Sequence, residues 1–163
     1  MELDLKSGWA YCNEQILEFC NDLCKTKQIK LLELGCGDSS IKIFNFLSTI
    51  YNEVQYTCYE TDDAWAPDHK NINVIMYDYP KNIFFDNTIY DLILIDGPTG
   101  IDRKLWYNKL INNVQPGTVI HIDDYDHYEE FEQELKLNFS YNELYRKSRS
   151  KQGEKSWLTV KIN

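Results

Sequence analysis

The chain has 163 residues, 43% hydrophobic and 14% aromatic, which suits one folded domain over 1–163 and excludes a disordered tail. Its formal charge of −9 speaks against a surface built for phosphate backbones, so a small molecule, a glycan or a protein is a better partner than a nucleic acid. No run reaches the roughly 20 apolar residues of a membrane span, and Met1 to Lys6 lacks the regions of a signal peptide, so no membrane association is expected.

The five cysteines (12, 20, 24, 36 and 58) are odd in number and form neither a Cys-x-x-Cys nor a Cys/His cluster. A reduced, cytoplasmic setting follows, and zinc is disfavoured. No repeat or Pro/Gly-rich linker divides the chain.

Trp9, Cys12, Ile16, Phe19, Cys20 and Leu23 recur at helical spacing and predict a leading helix over about 8–26. A first strand at 29–34 runs into Gly35-Cys36-Gly37. A helix follows, with Ser39 or Ser40 as its cap and Ile43, Leu47, Ile50 and Tyr51 as its buried stripe. Strands are predicted at 54–60 and 72–77. The segment between them holds Pro67 and little helical periodicity, so the crossover helix is short or missing. The apolar run 90–95 reads as a strand buried on both faces. A helix near 102–113, a turn at Pro116-Gly117 and a strand at 118–123 come next. Asp126 and Glu129 have capping-box spacing and open a helix over 126–136. The chain closes with two strands, 141–146 and 156–162, joined by the basic segment Arg146-Lys147-x-Arg149-x-Lys151, which reads as a solvated hairpin loop.

Strands alternating with helices predict an α/β, Rossmann-like fold: a mostly parallel seven-stranded sheet with a C-terminal antiparallel hairpin. Such sheets bind ligands beyond the C-terminal strand ends, at the topological switch point. Each parallel strand here leaves into an acid. Strand one enters the glycine turn and Asp38, strand two ends at Glu60, and strand three at Asp78-Tyr79. Strand four ends at Asp96-Gly97-Pro98 and strand five at Asp123-Asp124. Glu60 stands 23 residues beyond Gly37, where an acid reaches ribose hydroxyls. Asp38 and Asp126 are explained by helix capping. Cys36 is a small residue in the turn, and no histidine nearby in sequence would make it a nucleophile.

The Glu33-x-Gly35-x-Gly37 turn, Glu60 and Asp96 resemble the class I S-adenosylmethionine-dependent methyltransferases over nearly the whole chain. Glu33-x-Gly35-x-Gly37-x-Ser39-Ser40 is similar to the turn of certain small-molecule and polysaccharide O-methyltransferases. Ile95 to Gly100, Pro116-Gly117 and Ile122-Asp123-Asp124 look like the glucuronoxylan-type sugar enzymes. The resemblance implies S-adenosylmethionine as cofactor. Gly35, Cys36 and Gly37 would pack on its methionine part, with Ser39 close by. Glu33 would order the turn or meet the amino group. Glu60 and Thr61 would take the ribose, Asp78 and Tyr79 the adenine, and Asp96 would complete the set. A dinucleotide wants a third glycine at position 40, where this chain has serine, which favours a methyl donor over NAD.

Strands four and five should be neighbours, roughly 4.8 Å apart. Asp96, Asp123 and Asp124 would then share one rim, a costly repulsion unless a proton or cation intervenes. Three oxygen donors suit a divalent cation, Mg²⁺, Mn²⁺ or Ca²⁺, which could bind and acidify an acceptor hydroxyl. Catechol-type O-methyltransferases resemble this, but have asparagine where Asp124 stands. Without a metal, Asp96 or Asp124 could be the general base. His121 reads as a partly buried strand residue, and His69 and His127 as rim candidates. Trp65 is a candidate for an acceptor cleft, while Trp106 lies on a core stripe. The expected function is methyl transfer to oxygen of a carbohydrate or small hydroxylated acceptor. Its rivals are an N- or carboxyl-methyltransferase and a non-catalytic cofactor-binding module.

Overall fold

The computed structural model describes residues 27–78, 85–97, 103, 109–127, 129–148, 150–151 and 156–163. The expected leading helix, Tyr79, Pro98 to Gly100, Trp106, Arg149 and most of the helix near 102–113 lie outside the described residues.

Seven strands form one sheet: β1 (Gln28–Leu34), β2 (Glu53–Glu60), β3 (Ile72–Met76), β4 (Leu92–Ile95), β5 (Val119–Asp123), β6 (Tyr141–Lys147) and β7 (Trp157–Ile162). Their order is β3-β2-β1-β4-β5-β7-β6. The first five are parallel, and β7 runs antiparallel to both β5 and β6. This is the mostly parallel Rossmann-like sheet with a closing hairpin that the sequence predicts. Helix α1 (Asp38–Ile50) follows β1, and α2 (Glu129–Asn138) follows β5 after a 3-10 turn at Tyr125–His127. The chain order reverses between β1, which continues outward through β2, and β4, which continues through β5. The loops leaving β1 and β4 therefore diverge and leave a crevice at that point.

Strand alternation sends neighbouring side chains to opposite faces, and both faces are covered. Leu31, Cys58, Leu92 and Leu94 pack with Ile43, Phe44 and Leu47 of α1. Leu32, Leu34, Ile93, Ile95, Ile120 and Ile122 pack on the other face, with Leu135 of α2 and Leu158 and Val160 of β7. Edge strand β6 is mostly exposed and carries Glu143, Arg146 and Lys147, charges that discourage edge-to-edge pairing.

The helix ends depart from expectation. Gly37, not a serine, is the N-cap of α1, and Ser40 sits three residues inside. Its backbone N–H donates to the Gly37 carbonyl at 3.0 Å, and its Oγ accepts from the Gly37 N–H at 3.0 Å. A serine at the cap would have satisfied only the donors ahead of it; at the third position it reaches back into the turn. Helix α2 starts at Glu129, three residues later than predicted, because Asp126 belongs to the 3-10 turn and accepts a hydrogen bond from Ser156 Oγ instead of opening the helix. No helix among the described residues is long and apolar enough to cross a membrane.

Candidate functional site

The exits of β1 and β4 meet at two glycines. Gly35 has φ +81°, and a Cβ there would lie 2.5 Å from the Gly97 nitrogen. A Cβ on Gly97 would fall 2.7 Å from the Gly35 Cα. Two backbones at this distance admit no side chain between them, which explains both glycines physically. Gly97 and Asp96 donate to the Leu34 carbonyl at 2.6 and 2.9 Å, joining the two loops.

Around this junction the structure gathers Glu33, Cys36, Gly37 and Glu60. The Glu60 Oε2 accepts from the Cys36 N–H at 2.9 Å, and Oε1 accepts from the Thr61 and Asp62 N–H groups at 2.7 and 3.1 Å. One carboxylate thus ties the β2 exit to the glycine turn. Glu33 lies beneath, fully buried. Its Oε2 receives Ser40 Oγ at 2.5 Å, Tyr56 OH at 2.8 Å and Cys58 Sγ at 3.4 Å, while Oε1 has no partner. Burial pushes the Glu33 carboxyl up to about 7, against the lowering effect of those donors. A hydrogen bond with Cys36, and then burial, push the Cys58 thiol up, so it is protonated and inert.

Tyr56 and Cys58 were not singled out from the sequence. The signal was there: Tyr56, Cys58 and Glu60 alternate onto one face of β2, and Cys58 is in register with Glu33. Ser39 is half-buried in the first turn of α1, and Thr61 is exposed beyond Glu60. Trp65, 58% exposed, stands over the turn: a Cβ on Gly37 would meet its Cε3 at 3.7 Å. Asp78 is exposed beyond β3.

The second half of the rim differs from expectation. Asp123 is fully buried at the end of β5, while Asp96 and Asp124 are half-buried. Asp124 has φ +52°, the only non-glycine residue in the left-handed region among those described, and its N–H donates to the Ser156 carbonyl at 2.8 Å. Among the described residues, no group of three His, Cys, Asp or Glu is placed to hold a metal ion. Among the described residues, Arg103, 3% exposed, reaches these exits: its Nη1 donates to the Asp123 carbonyl at 2.9 Å and Nη2 to the Asp96 carbonyl at 2.5 Å. Arg103 also escaped the sequence reading. Its hint was spacing, since 103 falls three and seven residues before Trp106 and Leu110, on the stripe read as core.

Two of the three histidines lie away from the rim. His121 is fully buried, not partly so, and burial pulls it down to about 3, with Nδ1 and Thr159 Oγ1 2.8 Å apart. His69 packs on Phe44 of α1, ring centroids 4.8 Å apart, on the return path to β3 and away from the β2 exit. The backbone of His127 lies in the 3-10 turn after β5. Arg146 is not a loosely solvated cation: it pairs with Glu132 at 2.9 Å and Glu143 at 2.6 Å, and its hydrogen bonds draw Glu132 down to about 2. Lys147 lies 4.4 Å from the centroid of Trp157.

No protein-family model and no curated protein matches the sequence. Among solved structures, the chain is similar to the precorrin-6y C5,15-methyltransferase of Geobacter metallireducens GS-15, with a TM-score of 0.64 and 11% identity over 95% of this chain and 92% of that one. It is similar to human methyltransferase-like protein 13 in complex with SAH, with a TM-score of 0.59 and 14% identity over 93% and 83%. It is also similar to the 23S rRNA methyltransferase ErmE, with a TM-score of 0.58 and 13% identity over 95% and 70%. The chain shares its fold with methyltransferases of several kinds, an rRNA enzyme among them, so fold alone does not set a nucleic acid aside.

Proposed function

We propose that this chain is an S-adenosylmethionine-dependent methyltransferase acting on oxygen of a carbohydrate or small hydroxylated acceptor. One observation carries the cofactor reading: Glu60 and Ser40 already occupy the Cys36 and Gly37 amides. A pyrophosphate would need those donors at the start of α1, whereas a cationic, phosphate-free nucleoside does not. The residues fit such a group. Glu33 offers a buried oxygen without a partner beneath the turn, Glu60 holds a carboxylate at the switch point, and Asp78 is an exposed acceptor beyond β3. When bound, the cofactor supplies an electrophilic sulfonium methyl group.

The residues of the chain would do the rest. Gly35 and Gly97 let two backbones close on the ligand, and Trp65 covers the turn from the solvent side. Asp96 and Asp124, the half-buried pair, are the bases that can reach an acceptor hydroxyl; Asp123, fully buried, is not. Alignment of the acceptor with the methyl group contributes most of the rate in an in-line displacement. The charge of −9 and the pairing of Arg146 with two glutamates support a small or glycan acceptor over RNA.

The test is thermal shift of the full chain with S-adenosylhomocysteine, with NAD and with neither, followed by transfer of labelled methyl to sugars, catechols, RNA and cell extract. Stabilisation by S-adenosylhomocysteine alone is expected. Glu60→Gln should weaken it about 10- to 100-fold, the worth of hydrogen bonds to a charged acceptor. Stabilisation by NAD alone would overturn the cofactor reading. Stabilisation by S-adenosylhomocysteine with no transfer to any acceptor would leave a binding module.

A further inference from the structure

We propose that Cys36 and Cys58 form a dithiol site beneath the glycine turn, which a two-electron oxidant such as hydrogen peroxide closes into a disulfide, displacing the turn from its ligand-binding form. The site stands on its own geometry, and only its effect on the cofactor rests on the reading above.

Both residues are free, buried thiols in the cluster packed under α1. Cys58 is in register with Glu33 on the neighbouring strand, and its S–H donates to the Glu33 Oε2 at 3.4 Å. The chain bends at the end of β1 through Gly35, φ +81°, and Cys36 returns to the same cluster, where its thiol shares a hydrogen bond with that of Cys58. Two residues beyond Cys58, the Glu60 carboxylate accepts from the Cys36 N–H at 2.9 Å, so backbone and side chain of Cys36 are both drawn towards β2. Sulfurs in contact need little movement to reach the about 2.05 Å of a disulfide. A free cysteine alone packs as a small hydrophobe; two in contact beside a carboxylate can also exchange electrons and a proton.

Cys36 is 8% exposed and Cys58 not at all, so Cys36 is the sulfur that an oxidant meets first. Its thiolate attacks one peroxide oxygen and the O–O bond breaks, which leaves a sulfenic acid at Cys36 and, with the thiol's proton, one water. Cys58, protonated at rest, is the second partner. Its sulfur attacks the Cys36 sulfur while its proton passes to the Glu33 carboxylate and on to the hydroxide leaving Cys36, which departs as a second water. Two thiols and one peroxide become one disulfide and two waters, and a dithiol such as dithiothreitol reverses the bond, itself oxidised to a cyclic disulfide. The movement cannot be taken up at Gly35, where a Cβ would lie 2.5 Å from the Gly97 nitrogen. It passes forward to Gly37 and to the Ser40 contact that starts α1.

The experiment treats the native full chain with a small molar excess of hydrogen peroxide, caps the remaining thiols and cleaves after lysine and arginine. Cleavage after Lys30, Lys42 and Lys70 puts Cys36 and Cys58 on separate peptides, so mass spectrometry reads their linkage directly. One major linked pair, Cys36 to Cys58, two hydrogens lighter than its parts and split by dithiothreitol, is expected. Linkage to Cys12, Cys20 or Cys24 instead, linkage only in denaturant, or Cys36 found as an unlinked sulfinic or sulfonic acid overturns the proposal. Melting temperatures then read the turn. S-adenosylhomocysteine should stabilise the reduced chain, the oxidised chain should lose most of that shift, and dithiothreitol should restore it. Cys58→Ala, which cannot close the bond, should show no loss that dithiothreitol reverses. Equal stabilisation of the reduced and the linked chain overturns the effect on the turn. If the reduced chain is not stabilised at all, the cofactor reading fails, and the linkage still decides the dithiol site. Should Cys58→Ala fail to fold, the linkage map and the dithiothreitol reversal in the wild type decide without it.

Discussion

The two halves of the rim satisfy their backbone by opposite means. Beyond β1 and β2, carboxylate and hydroxyl oxygens accept from the amides of Cys36, Gly37, Thr61 and Asp62. Beyond β4 and β5, a guanidinium donates to the carbonyls of Asp96 and Asp123. The first half presents fixed negative charge to a ligand, and the second holds fixed positive charge inside itself. The halves are joined through backbone by the Gly35–Gly97 contact and by the Asp96 and Gly97 amides on the Leu34 carbonyl.

That joint is where the comparison breaks most readily. Gly35→Ala places a Cβ 2.5 Å from the Gly97 nitrogen at a residue with φ +81°, and Gly97→Ala drives one to 2.7 Å from the Gly35 Cα. Each should cost about 3 kcal/mol or more in denaturant unfolding, because backbone, unlike a flexible side chain, cannot step aside. Gly37→Ala is the control. Its backbone is extended, its nearest neighbour is Trp65 at 3.7 Å, and the expected cost is under about 1 kcal/mol. Equal losses at all three positions would mean that the joint is not special.

A second comparison sets the buried acid of one half against the buried histidine of β5. Glu33 is raised from 4.5 to about 7 by burial, so the native state holds more protons than the unfolded chain between those values. Its contribution is full below about 4.5 and is lost as pH rises through 7. His121 is lowered from 6.5 to about 3 by burial, so the native state holds fewer protons, and stability rises with pH across that window. Between about pH 4.5 and 6.5 the two slopes oppose and should nearly cancel. Glu33→Gln should then expose a rise of roughly 1.4 kcal/mol per pH unit, and His121→Asn a fall of similar size. Denaturant midpoints at pH 4.5, 5.5 and 6.5 read both. If neither variant changes the slope, these groups do not titrate with folding.

The first half of the rim was legible in the sequence because its parts are local or periodic. The glycine turn is contiguous, Glu60 follows its strand at a fixed spacing, and alternating apolar runs located the seven strands to within two residues at each end. The second half was not legible, because its organising residue is defined by a long-range juxtaposition. Nothing near Arg103 in the chain states that it will reach the ends of β4 and β5, and the three aspartates read most simply as a metal site when the arginine is left out. The same limit applies to Ser40. Its identity suggested a cap, but only the folded turn shows its hydroxyl donating to Glu33 and accepting from Gly37. His69 was misplaced for a simpler reason: a connecting segment without a helix returns to the far end of the sheet within a few residues, carrying its middle away from the rim.

The smallest effect sharpens the comparison most, because it separates strain from chemistry in the second half. Asp124 holds φ +52° at the β5 exit, a conformation that aspartate tolerates, asparagine tolerates as well, and glycine adopts freely. Asp124→Gly relieves backbone strain but gives the unfolded chain more freedom, so the net change in stability should stay within about 1 kcal/mol. Asp124→Asn keeps the side-chain volume and the left-handed preference, and should fall in the same range. If Asp124 serves as the base, both variants lose methyl transfer together while S-adenosylhomocysteine still raises the melting temperature as in the wild type. If the residue matters only for its backbone, Asp124→Asn keeps transfer while Asp124→Gly loses it. The pair therefore distinguishes a carboxylate that takes a proton from a turn that merely aims Asp96, and it does so with a fold equally stable in both variants.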